Sequence, residues 1–232
     1  MTVIGRLWHP GLLEDRTLDV LRTWLPVYLN EISRSETLYE NLPALRAENP
    51  EATEAELVEM LDEAIEAGDV KPRSLAVPKS YATVSEYDRF PEQGLPAIIV
   101  AAPGLAEAPV LNGAGDLRAD WIIEVSATVS ANGARATRRL SQMYLAAIQG
   151  AILQRRSLGD PYSAAYLTDV QYADVPSERR RSIAAAAAAF RVSVEGILST
   201  KAGPVTPEPP DPVPATWPVI ETVNVELETE NP

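Results

Sequence analysis

The stretch Trp121-Ile-Ile-Glu-Val-Ser-Ala-Thr-Val-Ser130, closed by Ala131-Asn132-Gly133, decides the fold of this chain. Trp121, Ile123, Val125, Ala127 and Val129 fall on one side of an extended backbone, and Glu124, Ser126, Thr128 and Ser130 on the other. That period of two is the pattern of a strand with one buried face. Asn132-Gly133 breaks it. From Ala134 to Arg156 the spacing turns helical: Leu140, Tyr144, Ala147, Ile148, Ala151 and Ile152 form one face, and arginines and glutamines the others. Gly159-Asp160-Pro161 stops the helix. Ala165 to Val175 reads as a second strand, and Pro176-Ser177 opens a turn.

Ser182 to Leu198 supports two readings. The unbroken alanines Ala184 to Ala189 favour a helix by intrinsic propensity. Phe190, Val192 and Val194 alternate with Arg191, Ser193 and Glu195, which is a strand pattern. A strand throughout is preferred, with a helix over 182–189 as the alternative. A strand of alanines leaves room for close packing of a helix or of another subunit.

Outward from this block the signals thin. Thr17 to Glu36 has Leu18, Leu21, Leu25, Leu29 and Ile32 at helical spacing, with Pro26 expected to kink the helix or to open a second one. Glu51 to Ala67 is a second helix, with an apolar stripe of Leu57, Met60, Leu61 and Ile65 and a stop at Gly68. Its acids, Glu59 and Glu63 among them, have no basic partner in the segment, so it is expected at the surface against arginines of a neighbour. Val70 to Gly94 reads as an irregular connector. Pro96 to Ala102 is an apolar strand ended by Pro103-Gly104, and Leu105 to Ala119 is a hairpin loop or a mixture of strand and loop.

After Gly203 the character changes. Seven prolines fall between Pro204 and Pro218, the composition of an extended, semi-rigid arm. Beyond it Val219, Val223, Val225 and Leu227 alternate with Thr222, Asn224, Glu226 and Glu228. Two readings stay open there: a strand that adds to a sheet edge elsewhere, or a disordered acidic tail. The fold class is therefore α/β (α+β), a mixed or antiparallel sheet packed by helices with a Pro-rich C-terminal arm. The domain organisation is one domain over 1–202, containing an acidic helical insertion at 51–67, then a linker over 203–218 and a terminal strand or tail over 219–232.

Composition narrows the function. At 232 residues and 46% hydrophobic, the chain can bury a sizeable core. It has no cysteine and one histidine, His9, which excludes thiolate chemistry and Cys-type zinc sites. No apolar run is long enough to span a membrane, and the N-terminus lacks a secretory pattern, so a cytoplasmic, soluble protein is expected. No phosphate-binding glycine loop and no G-x-S-x-G occurs. Asp116 and Asp120 are candidate paired carboxylates, read as solvated loop residues. His9 is read as a surface or packing residue, and the tryptophans as packing or interface anchors. No enzyme activity and no cofactor or metal is expected.

Charge is unevenly spread. Nine arginines against four acids between Gly133 and Arg191 give +5, while the whole chain carries −13, so the remainder carries −18. A basic centre with acidic flanks suits pairing between copies, or non-specific contact with nucleic acid. The candidate interface residues are Arg135, Arg138 and Arg139 at the start of the central helix and Arg179, Arg180 and Arg181 in the turn before the last strand. Glu59 and Glu63 on the acidic helix, with Trp217, Val223 and Val225 in the C-terminal segment, complete the set.

Four segments together resemble a known family: LDVLRTWL (Leu18–Leu25), LPAIIVAAPG (Leu95–Gly104), DWIIEVSATVSANGARATRRLSQMYLAAIQGAIL (Asp120–Leu153) and FRVSVEGIL (Phe190–Leu198). Over roughly Thr17 to Leu198 the chain is similar to the tail terminator proteins of long-tailed bacteriophages, of a type common in phages of actinobacteria. The resemblance implies a sheet backed by helices, assembled as a hexameric ring that caps the tail tube, ends its growth and meets the head connector. The partners it implies are further copies of the chain, the tail tube protein, the head–tail connector or stopper and passing genomic DNA. The location it implies is the head-proximal end of the virion tail, after assembly in the host cytoplasm. The alternatives are another neck protein, such as a head-closure component, or a minor tail protein; an enzyme or a DNA-binding regulator is the reading from a different class.

Overall fold

A computed structural model of the chain describes residues 9–71, 74–84, 94–111, 117–159, 163–175 and 181–195. Within them three helices and six strands follow the order α1 (Pro10–Glu48), α2 (Glu54–Ala67), β1 (Ser80–Thr83), β2 (Ala97–Leu105), β3 (Val110–Leu111), β4 (Leu117–Asn132), α3 (Ala134–Gln154), β5 (Ser163–Val175) and β6 (Arg181–Val194). The sheet runs β1-β2-β4-β6-β5, with β3 beside β4. β1 pairs parallel to β2 and every other pairing is antiparallel, so the sheet is mixed.

The alternation of β4 does what its sequence demands. Ile123, Val125, Ala127 and Val129 are buried, and Glu124 on the other side is exposed. Register carries the same face across the sheet: Val125 lies opposite Val100 of β2 and Ala188 of β6. Helices α1 and α3 cover this face, and one core unites Leu21 and Leu25 of α1, Tyr144 and Ile148 of α3, and Phe190 of β6.

The alanine segment is strand from Arg181 to Val194, and the helical alternative fails. Tertiary context overrides propensity here. Ala184, Ala186 and Ala188 are buried beneath the helices, where small side chains let helix and sheet approach closely. Residues 196–198 lie outside the described residues, as do the linker and terminal segment over 203–232.

Helix α1 answers one of the two expectations at Pro26: no second helix opens there. It runs continuously through Pro26 and Pro43 for 39 residues, neither ending nor restarting at Pro26. An interior proline costs about 3 kcal/mol. Each buried leucine returns roughly 1.5–3 kcal/mol, and Leu13, Leu18, Leu21, Leu25 and Leu29 are all buried. Burial therefore outweighs the proline. The helix also starts earlier than expected. His9 is its cap: Nδ1 accepts from the Leu12 amide at 3.2 Å, and Pro10 takes the first turn, where a missing N–H costs nothing.

Helix α2 begins at Thr53 with a capping box: the Thr53 amide donates to Glu56 Oε2 at 2.7 Å, and the Glu56 amide donates to Thr53 Oγ1 at 3.3 Å. The Thr53 amide first, and second its hydroxyl, which donates to Glu56 Oε2 at 2.9 Å, hold the Glu56 carboxyl below the ordinary carboxylate range. Gly68 ends the helix at φ 82, a conformation open to glycine. The helix is not left without a basic partner. Leu57 and Leu61 are buried and Arg34 Nε of α1 donates to Asp62 at 2.7 Å, so α2 is tied to its own chain. Strand β2 also departs from expectation, passing through Pro103-Gly104 to Leu105 by way of a register shift between Ala101 and Gly104.

At Gly150 of α3 the Tyr28 ring of α1 packs directly against the backbone. A Cβ there would lie 2.6 Å from Cδ1 of Tyr28 and 3.2 Å from Cγ, close to the root of a rigid ring. Alanine raises helix propensity by about 1 kcal/mol, whereas overpacking costs about 1–3 kcal/mol. Gly150→Ala should therefore lose stability by about 1 kcal/mol and Gly150→Val by more, read as a lower urea midpoint; an unchanged or higher midpoint for the alanine variant would mean the two helices slide apart freely.

Candidate assembly surfaces

The second face of the sheet carries no helix among the described residues. On β4 it presents Ser126, Thr128 and Ser130, and on β6 Ala185, Ala187 and Ala189, all half-buried. Ser126 lies opposite Ala187 and Thr128 opposite Ala185, so the centre of this face is a field of small side chains.

One end of the layer is basic. Asn132 at the end of β4 pairs with Arg181 at the start of β6, and Gly133 turns the chain directly into α3. Thr137 in the first turns of α3 fastens this corner, its hydroxyl donating to the carbonyls of Gly133 at 2.9 Å and Ala131 at 3.2 Å. The fold thereby brings the helix-start arginines and the strand-start arginine, distant in sequence, to one corner. Arg135 and Arg138 are exposed there. No acid stands in the first turn of α3 and no side chain caps it, so the arginines face the positive end of the helix dipole. That arrangement is unfavourable within the chain and favourable toward an acidic partner.

Arg139 behaves differently from its neighbour. Its guanidinium is held by Glu36 of α1, Nε donating at 2.8 Å, and approaches Glu40 at 3.4 Å. The Glu36 hydrogen bond and charge raise its pKa above the ordinary value. It ties α3 to α1 rather than standing free. Glu59 and Glu63 are exposed on α2. Arg179, Arg180, Trp217, Val223 and Val225 lie outside the described residues, and of Arg181 only its strand position is described.

The opposite end of the same face holds a charge cluster that sequence reading missed. Asp120 is not in a loop; it lies in β4 and is 8% exposed. Arg191 of β6 donates to it through Nε at 2.8 Å and Arg118 through Nε at 3.2 Å. Arg118 Nη2 also donates to Ser193 at 3.0 Å, and Arg191 reaches Glu107 at 3.1 Å. Burial works to raise the Asp120 carboxyl, and hydrogen bonds from Ser193, Arg191 and Arg118 outweigh it, holding the group below its ordinary range. The cluster borders a cleft of about 330 Å³ with Val110 and Leu111 on its rim, 62% and 58% exposed. Arg118 and Asp120, two apart on one strand, share a face with Arg191. That spacing was the available signal, and it becomes legible once β4 and β6 are known to pair.

Asp120 gives a pH prediction. Its carboxyl titrates lower in the folded chain than in the unfolded one, so its contribution is fully present above the unfolded value, about 3.9. It is lost as pH falls below that value through the folded one. Urea midpoints should stay level from neutral pH to about pH 5 and drop below about pH 4, and the drop should shrink in Asp120→Asn. An equal drop in the variant would remove Asp120 from the cause.

No known family and no curated protein matches the sequence. Among solved structures, a chain of the virion of a native gene transfer agent particle is similar in part. It is 18% identical, with 51% of this chain and 79% of that chain covered, at a TM-score of 0.35. A likeness at that level carries no argument about role. Among the described residues no group of three or more His, Cys, Asp or Glu side chains is placed to hold a metal ion, and no helix is long and apolar enough to cross a membrane. Among the described residues, what the geometry offers is surface: a face of small residues without a covering helix, a basic corner, an acidic helix and an unpaired outer edge at β5.

Proposed function

We propose that this chain is a structural virion protein that assembles head to tail as a ring, caps the tail tube of a long-tailed phage, ends its polymerisation and joins the tail to the head connector. The observation that carries the reading is the basic corner built from Arg135, Arg138 and the start of β6, set against the exposed acids Glu59 and Glu63 of α2. Two unlike patches on one chain are what a heterologous, ring-closing contact requires. The sequence resemblance to tail terminators supplies the identity of the ring, and hexameric closure comes with it. Ending a polymer needs no chemistry; it needs a surface that binds the growing end without offering a new copy of it.

In this reading Arg135 and Arg138 face the α2 of a neighbouring copy, with Arg179, Arg180 and Arg181 beside them, while Arg139 stays with Glu36. Trp217, Val223 and Val225 belong to the C-terminal arm's contact. The test is electron microscopy of virions carrying a gold label on this protein. Label confined to the head-proximal end of the tail is expected; label along the tube or at the tip would contradict the assignment.

A further inference from the structure

Strand β5 closes the sheet on one side: its inner edge pairs with β6, and among the described residues nothing pairs with its outer edge. It is 13 residues long and contains no lysine or proline. Unpaired backbone groups along such an edge are a template for another strand, and natural sheets usually blunt them. A single bulge between Leu167 and Asp169 is the one interruption of its pairing with β6. Leu167 lies opposite Phe190 and Tyr172 opposite Ala186, which places both on the helix-backed side. Both are nevertheless open, Leu167 38% exposed and Tyr172 49%. The apolar side of the layer thus continues past its last described strand.

Residues 219–228 have the pattern that fits, interrupted only at the start by Ile220 and Glu221. Val223, Val225 and Leu227 fall on one side and Thr222, Asn224 and Glu226 on the other. Ten residues of strand span about 33 Å, which fits within the roughly 43 Å of the 13-residue β5. The other free edges are too short, β1 at four residues and β3 at two. Chain length puts another copy's edge within reach. β6 ends at Val194, opposite Ser163 of β5, so the chain leaves the sheet one strand spacing, about 5 Å, from its own free strand. The Pro-rich 204–218 alone reaches about 45 Å as polyproline helix. An arm of that composition, read as semi-rigid, reaches well beyond its own edge.

We propose that residues 219–228 of one copy add as a strand to the outer edge of β5 in a second copy, laying Val223, Val225 and Leu227 beside Leu167 and Tyr172. The proposal rests on the ring reading and deepens it by naming which segment joins which edge. Main-chain hydrogen bonds supply the affinity and the side-chain alternation fixes the register. Donation from each copy to the next is a heterologous contact and closes with the ring.

The chain has no cysteine of its own, so single-cysteine variants of the full chain map the contact. Gln171 lies opposite Ala187 on the small-residue side of the sheet. Gln171→Cys, mixed with Thr222→Cys, Asn224→Cys or Glu226→Cys and oxidised, should give disulfide-linked dimers of the two variants at one or two of these positions. Mixtures with Val223→Cys or Val225→Cys, on the opposite side, should give none. In a second measurement, the double variant Val223→Pro, Val225→Pro should associate at least tenfold more weakly, since proline removes ladder donors. A chain carrying both Gln171→Cys and Asn224→Cys that cross-links only within itself, with no dimer from the mixed single variants, would overturn donation between copies. Oligomers that persist by light scattering without any cross-link to position 171, or with the proline variant unimpaired, would overturn the strand proposal and leave the ring reading standing. A chain that is monomeric throughout would remove both.

Discussion

Phe190→Ala should cost about 3–5 kcal/mol and leave a substantial fraction of the chain unfolded. Phe190 is fully buried in β6, opposite Ile123 of β4 on one side and Leu167 of β5 on the other. It is among the largest wholly buried side chains and belongs to the core that joins α1, α3 and the sheet. Truncation removes the ring's transfer free energy and leaves a cavity that the neighbouring strands, fixed by their pairing, cannot close. Domains of this size hold about 5–15 kcal/mol in total, so the loss is a large share. Phe190→Leu keeps most of the volume and should cost clearly less. Urea denaturation followed by circular dichroism reads both. Equal midpoints for wild type and the alanine variant would mean that β6 is not the centre of the core.

Reversing the basic corner should move stability and assembly in opposite directions. Arg135 stands at the second position of α3, Arg138 one turn on, and no acid occupies the first turn. Glutamate there complements the helix dipole, so Arg135→Glu with Arg138→Glu should leave the fold intact or firmer by about 0.5 kcal/mol. Association of the variant should nevertheless fall at least tenfold at low salt, because like charges then meet on Glu59 and Glu63 of the neighbour. Mixing it with a Glu59→Arg, Glu63→Arg variant should restore mixed oligomers. Wild-type association should weaken as salt rises past about 0.1 M, where the screening length falls to about 10 Å. A variant that assembles as well as wild type would break the charge-pairing account. Arg139→Ala is the contrast: its partners Glu36 and Glu40 are on its own chain, so its effect belongs to the α1–α3 contact.

The centre of the fold was readable because one signal dominated it. Ile123 to Ser130 alternates so strictly that only a half-buried strand fits, and the helix after Gly133 has a single apolar stripe. The alanine strand was harder, since alanine favours helix on its own and is silent about faces; Phe190, Val192 and Val194 carried the decision. Pro26 left two outcomes open, and the leucines buried around it keep a single helix running through. His9-Pro10 held a helix-start signal that a lone histidine disguises. The charge cluster at Asp120 was illegible for another reason: its members come from β4, β6 and the segment between β2 and β3, and only the register places them together. The basic corner was half legible. Both arginine groups stand out in the sequence, but their meeting depends on Asn132 pairing with Arg181.

Light scattering of the purified full chain across concentration and salt tests the assembly claim most directly. The account predicts a discrete, salt-sensitive closed species at six times the 25.1 kDa chain mass. A 25.1 kDa monomer at every concentration, or open-ended growth without a limiting size, would contradict it.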